Sequence, residues 1–129
     1  MPIMPPTLSD FETIAQATID ALPAAFRAKM GSVVLRVEDW PDDDTLDEMG
    51  CEDAYELTGL YRGHTAADEG FTGKLPDSVH LYRRPILDEW ADGEVSLEAL
   101  IAHVVIHEVG HHFGLSDADI DAIEASVAE

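Results

Sequence analysis

Residues 95–117 read VSLEALIAHVVIHEVGHHFGLSD, and this stretch decides the reading of the whole chain. Leu97, Leu100, Ile101, Val104, Val105 and Val109 recur at helical spacing, which predicts a helix from Val95 to Phe113. Gly114 stands where a left-handed cap would end it, and Ser116 can cap a last helix with Asp119 three residues on. Inside the helix lies His107-Glu108-Val109-Gly110-His111, an HExxH sequence. Side chains four apart on a helix lie one above the other, so both imidazoles project from one face and can share a metal. Glu108 sits about 100° further around the helix. It falls where a carboxylate contacts a metal-activated water, the position of a general base, rather than beside the histidines as a ligand.

A catalytic zinc site needs three protein ligands and an open position. The continuation His107-Glu108-x-x-His111-x-x-Gly114-x-x-Asp117 supplies a carboxylate. Gly114 permits the bend that would bring Asp117 back beneath the histidines. Asp117 also has a purely structural explanation, since an acid in the first turn of a helix is stabilised by the helix dipole. Glu124, two turns further on, is the alternative third ligand. His103 lies one turn before His107 on the same face and is expected to line the cleft. His112 points elsewhere, and His64 and His80 read as loop and strand residues. Tyr61 and Tyr82 are expected to pack.

Outward from this helix, the chain of 129 residues is one domain, 1–129, with 46% hydrophobic residues, enough for a core that needs no metal or disulfide to fold. Its single cysteine, Cys51, excludes an internal disulfide and a thiolate zinc site. The net charge of −20, from 27 acids and 7 bases, repels phosphate backbones and anionic lipid. Nucleic acid and membranes are therefore poor partners, whereas a basic peptide or protein would be attracted. No apolar run approaches the roughly 20 residues of a membrane span, and the first residues carry no signal-peptide pattern, so a cytoplasmic location is expected.

Upstream, Ser9-Asp10-Phe11-Glu12 reads as a capping box before a helix carrying Phe11, Ile14, Ala15, Thr18, Ile19 and Leu22. Pro23 breaks that helix and opens a second short one, closed by Gly31. Strands are expected over Ser32–Glu38, with Val33, Leu35 and Val37 on one face, over Leu57–Arg62 and over Val79–Arg84. The acidic stretch Asp39–Asp53 and the segment Gly63–Asp77 read as loops. Helices, three strands, then two helices make an α+β layer with helices packed on a small sheet.

The segment His103 to Leu115, followed by Ser116-Asp117, resembles the minimal zincin-like metallopeptidases, small bacterial proteins. The likeness extends to Leu60-Tyr61-Arg62-Gly63, to Leu75-Pro76-Asp77, to the strand Val79–Tyr82 and to Arg83-Arg84-Pro85-Ile86, and so spans nearly the whole chain. It implies a minimal zincin-like fold, a three- to four-stranded sheet packed against helices that include the active-site helix. HExxHxxGxxD is similar to the metzincin pattern with Asp in place of the third His. The resemblance therefore implies a Zn2+ ion on His107, His111 and Asp117, with Glu108 as catalytic base. The departure is that no methionine follows Met49, where metzincins place a Met-containing turn after the motif. No C-terminal subdomain is expected either, which speaks against folded proteins as substrates.

The expected activity is hydrolysis of a peptide amide bond, with an extended substrate along a sheet edge and the strand Val79–Arg84 as the guess for that edge. The arginines of that strand could orient a substrate carboxylate, but neutralising the acidic surface explains them better. Two other classes remain open: a catalytically inert zinc-binding protein, and an acidic interaction protein that binds a basic partner.

Overall fold

The computed structural model describes residues 5–63 and 76–128. His64 and most of the expected Gly63–Asp77 loop lie outside the described residues. The first helix, α1 (Leu8–Ala21), starts two residues earlier than the Ser9 reading. Its cap is Thr7, whose hydroxyl accepts from Asp10 N at 3.1 Å while the Asp10 carboxylate accepts from Thr7 N at 2.9 Å. Thr7 and Asp10 satisfy the same box spacing, and the backbone adopts extended geometry at Thr7. α2 (Ala24–Met30) follows Pro23 and ends at Gly31, whose φ of 63° suits glycine.

Strand β1 (Val34–Glu38) is shorter than expected by two residues. The acidic stretch Asp39–Asp53 after it is not a plain loop: it holds a helix, α3 (Asp43–Met49), and a 3-10 turn, Ala54–Glu56, follows it. Asp42 caps α3 by accepting from Thr45 N at 2.7 Å, and Gly50 closes it in the left-handed region. Asp43 and Asp44 then sit in the first turn, where acids favour the helix dipole. The charge that reads as a solvated loop is thus partly an N-terminal cap.

Strand β2 (Gly59–Arg62) leads to β3 (Ser78–Tyr82). Arg83 and Arg84, expected at the end of a strand, open a further helix, α4 (Arg83–Asp92). Pro85 is in its first turn, where a missing N–H costs nothing. The sheet order is β1-β3-β2, with β3 parallel to β1 and antiparallel to β2. β3 is therefore the central strand, which overturns the guess that it forms the substrate edge. Its residues Val79, Leu81 and Tyr82 are buried, as a strand covered on both sides requires.

The long helix α5 (Leu97–His112) is capped by Ser96 and runs through the middle of the molecule. It packs against α1, β2, β3, α4 and the last helix, α6 (Asp117–Ala128). The core joins Phe11, Ala15 and Ile19 of α1 to Val79 and Leu81 of β3, Ile86 of α4, Ile101, Val105 and Ile106 of α5, and Ile120 of α6. This is a small α+β fold of six helices and a three-stranded mixed sheet among the described residues. No helix is long and apolar enough to cross a membrane.

Two glycines set the position of α5. A Cβ at Gly59 of β2 would lie 2.6 Å from Val104 Cγ1, so the strand can pass directly beneath the helix only as glycine. A Cβ at Gly110 would lie 2.5 Å from Ile120 Cγ1, so α6 crosses α5 at the middle of the HExxH sequence with Ile120 filling the gap. Both contacts act on the helix that carries the candidate site.

Candidate metal centre

Burial of Leu97, Leu100, Ile101, Val104, Val105, Ile106 and Val109 uses most of the circumference of α5. A helix apolar on so much of its surface must be buried, and what remains is a narrow stripe of histidines. His103, His107 and His111 follow one another at four-residue intervals along it. The His103 and His107 rings are in contact, with centroids 3.9 Å apart. The His107 and His111 rings stand nearly perpendicular, centroids 5.8 Å apart.

The helix ends as its glycine predicts. Leu115 N donates to Gly110 O at 3.0 Å and Gly114 N to His111 O at 3.1 Å, with Gly114 at φ 73°. This pair of bonds is the Schellman arrangement, and it turns the chain back toward α5. Ser116 then caps α6 by accepting from Asp119 N at 3.2 Å. Asp117 is the first residue of α6 and is exposed.

The carboxylate brought to the histidines is that of Glu124, two turns along α6. Glu124 Oε1 lies 2.9 Å from His103 Nδ1 and 3.2 Å from His107 Nε2. Among the described residues, His103, His107 and Glu124 form a group whose ligand atoms all lie within 4.8 Å of one another, and neither His111 nor Asp117 belongs to it. His107 Nε2 is shielded from solvent, yet no hydrogen bond reaches it, because the nearby Glu124 oxygen is not aligned for one. A buried polar atom without a hydrogen bond is costly unless another partner, such as a cation, takes its place.

Glu108 is half-buried on the flank of the stripe. Burial pushes its carboxyl above the usual carboxylate range, and the neighbouring His111 pulls it partly back. His112 turns away from the stripe and stacks on Tyr61, ring centroids 4.2 Å apart, with Gly63 beneath it. The Tyr61 hydroxyl donates to buried Asp77 at 2.6 Å, and burial with that carboxylate raises the phenol far above its ordinary range. Tyr61 thus packs as expected and also fixes the end of β2 beside the C-terminal turn of α5. The partnership of His103 with Glu124 was the feature that motif reasoning missed. Its signal was the third histidine at four-residue spacing, but no spacing rule tells where α6 crosses.

The fold and this stripe define a small α+β domain with a His-rich central helix able to hold a divalent metal. A family model for zincin-like metallopeptidases matches residues 30–127, and the chain belongs to that family. No curated protein matches the chain. The family implies a metal, typically zinc, and the residues present fit one. Imidazole nitrogens and carboxylate oxygens are the donors zinc accepts, and the shielded His107 Nε2 offers one of them with no competing hydrogen bond.

Proposed function

We propose that the chain is a zinc-dependent peptidase that hydrolyses an amide bond, with Glu108 as the general base. In this reading His107, His111 and Asp117 hold the ion, and Glu124 is the other carboxylate within the same helix–turn–helix. The observation that carries the proposal is Glu108 itself, a half-buried carboxyl that stands in the chain between two metal-capable histidines on one helix. Burial makes this carboxyl bind a proton more readily than a solvated one, which suits a group that must take a proton during attack and return it.

When bound, zinc polarises the scissile carbonyl and makes water acidic enough to react near neutral pH. Glu108 receives the proton of the attacking water and delivers it to the leaving amine nitrogen. The apolar bulk of α5 beneath Glu108 keeps bulk water from its carboxyl, and the tight crossing at Gly110 holds the helix in place. With β3 central, the edge strand packed under α5 is β2, and an extended peptide would pair there through its main chain. The net charge of −20 favours substrates with basic residues through long-range attraction.

The test is a peptide-library digest of the metal-loaded protein against its Glu108→Gln variant. Turnover should fall by about 100- to 10,000-fold while zinc content is unchanged. Equal cleavage by the two proteins removes Glu108 as the base. No cleavage by either leaves the chain a metal-binding protein without hydrolysis.

A further inference from the structure

We propose that His103, His107 and Glu124 form a seat for a divalent cation distinct from the His107, His111 and Asp117 set and sharing only His107 with it. Three observations converge on it. The three side chains already place one ligand atom each within 4.8 Å of the others. Glu124 Oε1 stands between the two rings, 2.9 Å from His103 Nδ1 and 3.2 Å from His107 Nε2. A tetrahedral zinc with bonds near 2.0–2.1 Å separates its ligand atoms by roughly 3.3 Å, close to the 2.9 and 3.2 Å from Glu124 Oε1 to the two imidazole nitrogens.

A simpler account is direct contact of Glu124 with His103 and His107. It explains the 2.9 and 3.2 Å separations but leaves His107 Nε2 shielded and without a hydrogen bond. A cation accounts for all three groups at once. Access exists as well, because His103 is exposed to solvent beside Glu124. Checkable ligand identity, separation and access are what a candidate metal site has to offer.

His107 has one Nε2 lone pair, so an ion in this seat excludes an ion held by His107 and His111. The chain therefore has two overlapping ways to hold a single ion. An ion in the His103 seat is withheld from His111 and Asp117, which gives the protein a resting, loaded state. This inference does not depend on peptide hydrolysis.

The experiment is cobalt and zinc titration of the His111→Ala, Asp117→Ala double variant, read by metal stoichiometry and by the visible absorption bands of Co2+. Both substituted residues are exposed, so the core is untouched. The double variant should still bind one ion per chain, with bands typical of low coordination. Adding Glu124→Gln or His103→Ala should weaken that binding on the order of tenfold or more. A folded double variant that binds no ion overturns the proposal, as does one whose affinity ignores both added substitutions. Should the double variant not fold, His111→Ala alone is read in the same way. Failure of this seat leaves cleavage and its loss in Glu108→Gln intact. Failure of the peptidase reading leaves the cobalt bands of the double variant intact.

Discussion

The two halves of the histidine stripe on α5 differ in what closes them. The upstream half, exposed His103 and half-buried His107, lies beside α6, and Glu124 reaches both rings. The downstream half ends in exposed His111, followed by the Gly114 turn and exposed Asp117. One helix thus presents an end whose imidazoles meet a carboxylate and an end whose imidazole does not join that group, and the difference comes from where α6 crosses it. Ile120 seats on Gly110 between the two halves, and α6 then runs back over the upstream one. Shielding raises the cost of an unpartnered nitrogen at His107, while His111 faces solvent.

This contrast can be broken at the crossing. Ile120 is fully buried, so Ile120→Ala should cost about 2–5 kcal/mol, measured by denaturant unfolding. It should also free Glu124 from His103, seen as changed imidazole chemical shifts by NMR. Gly110→Ala attacks the same contact from the other side. Its Cβ would meet Ile120 Cγ1 at 2.5 Å, so a loss of about 1–3 kcal/mol is expected, read as a lower melting temperature. Unchanged stability in both variants would mean that the crossing does not set the two halves apart.

Smaller effects sharpen the picture of the downstream half. Tyr61→Phe removes the hydroxyl that donates to buried Asp77, and should cost about 1–2 kcal/mol. Its pH dependence has a definite sign. The Tyr61 proton is held more tightly folded than unfolded, so its contribution is complete below the ordinary tyrosine value of about 10. That contribution is lost as the pH rises beyond it, and the Phe variant should unfold less steeply over that alkaline range in circular dichroism. Smallest is Arg62→Ala. Arg62 pairs with Glu48 at 3.0 Å and tethers α3 to the end of β2, but the pair is largely exposed. No more than about 1 kcal/mol should be lost in thermal melts, shrinking further in high salt.

Much of the site was legible because its determinants are local. The helical period of α5, the i and i+4 imidazoles, the Gly114 cap and the Ser116 cap each depend on neighbours within one turn. The elements misread were those whose stability is borrowed. α3 contains a single large apolar pair, Leu46 and Met49, and is held by the Asp42 cap and by Arg62 reaching from β2. α4 follows a strand without a turn, and only Pro85 with Ile86, Leu87 and Trp90 beyond it marked the switch of period. β3 looked like any amphipathic strand, but its central place depends on pairing with β1 more than 30 residues earlier.

By itself the sequence determined a histidine-lined helix, a carboxyl beside it and a glycine bend after it, because backbone geometry repeats every 3.6 residues regardless of surroundings. Which carboxylate meets which imidazole was decided only by the tertiary structure. The path of α6 depends on a side chain filling the space left by a missing one, Ile120 over Gly110, and that fit brings Glu124 to His103 and His107.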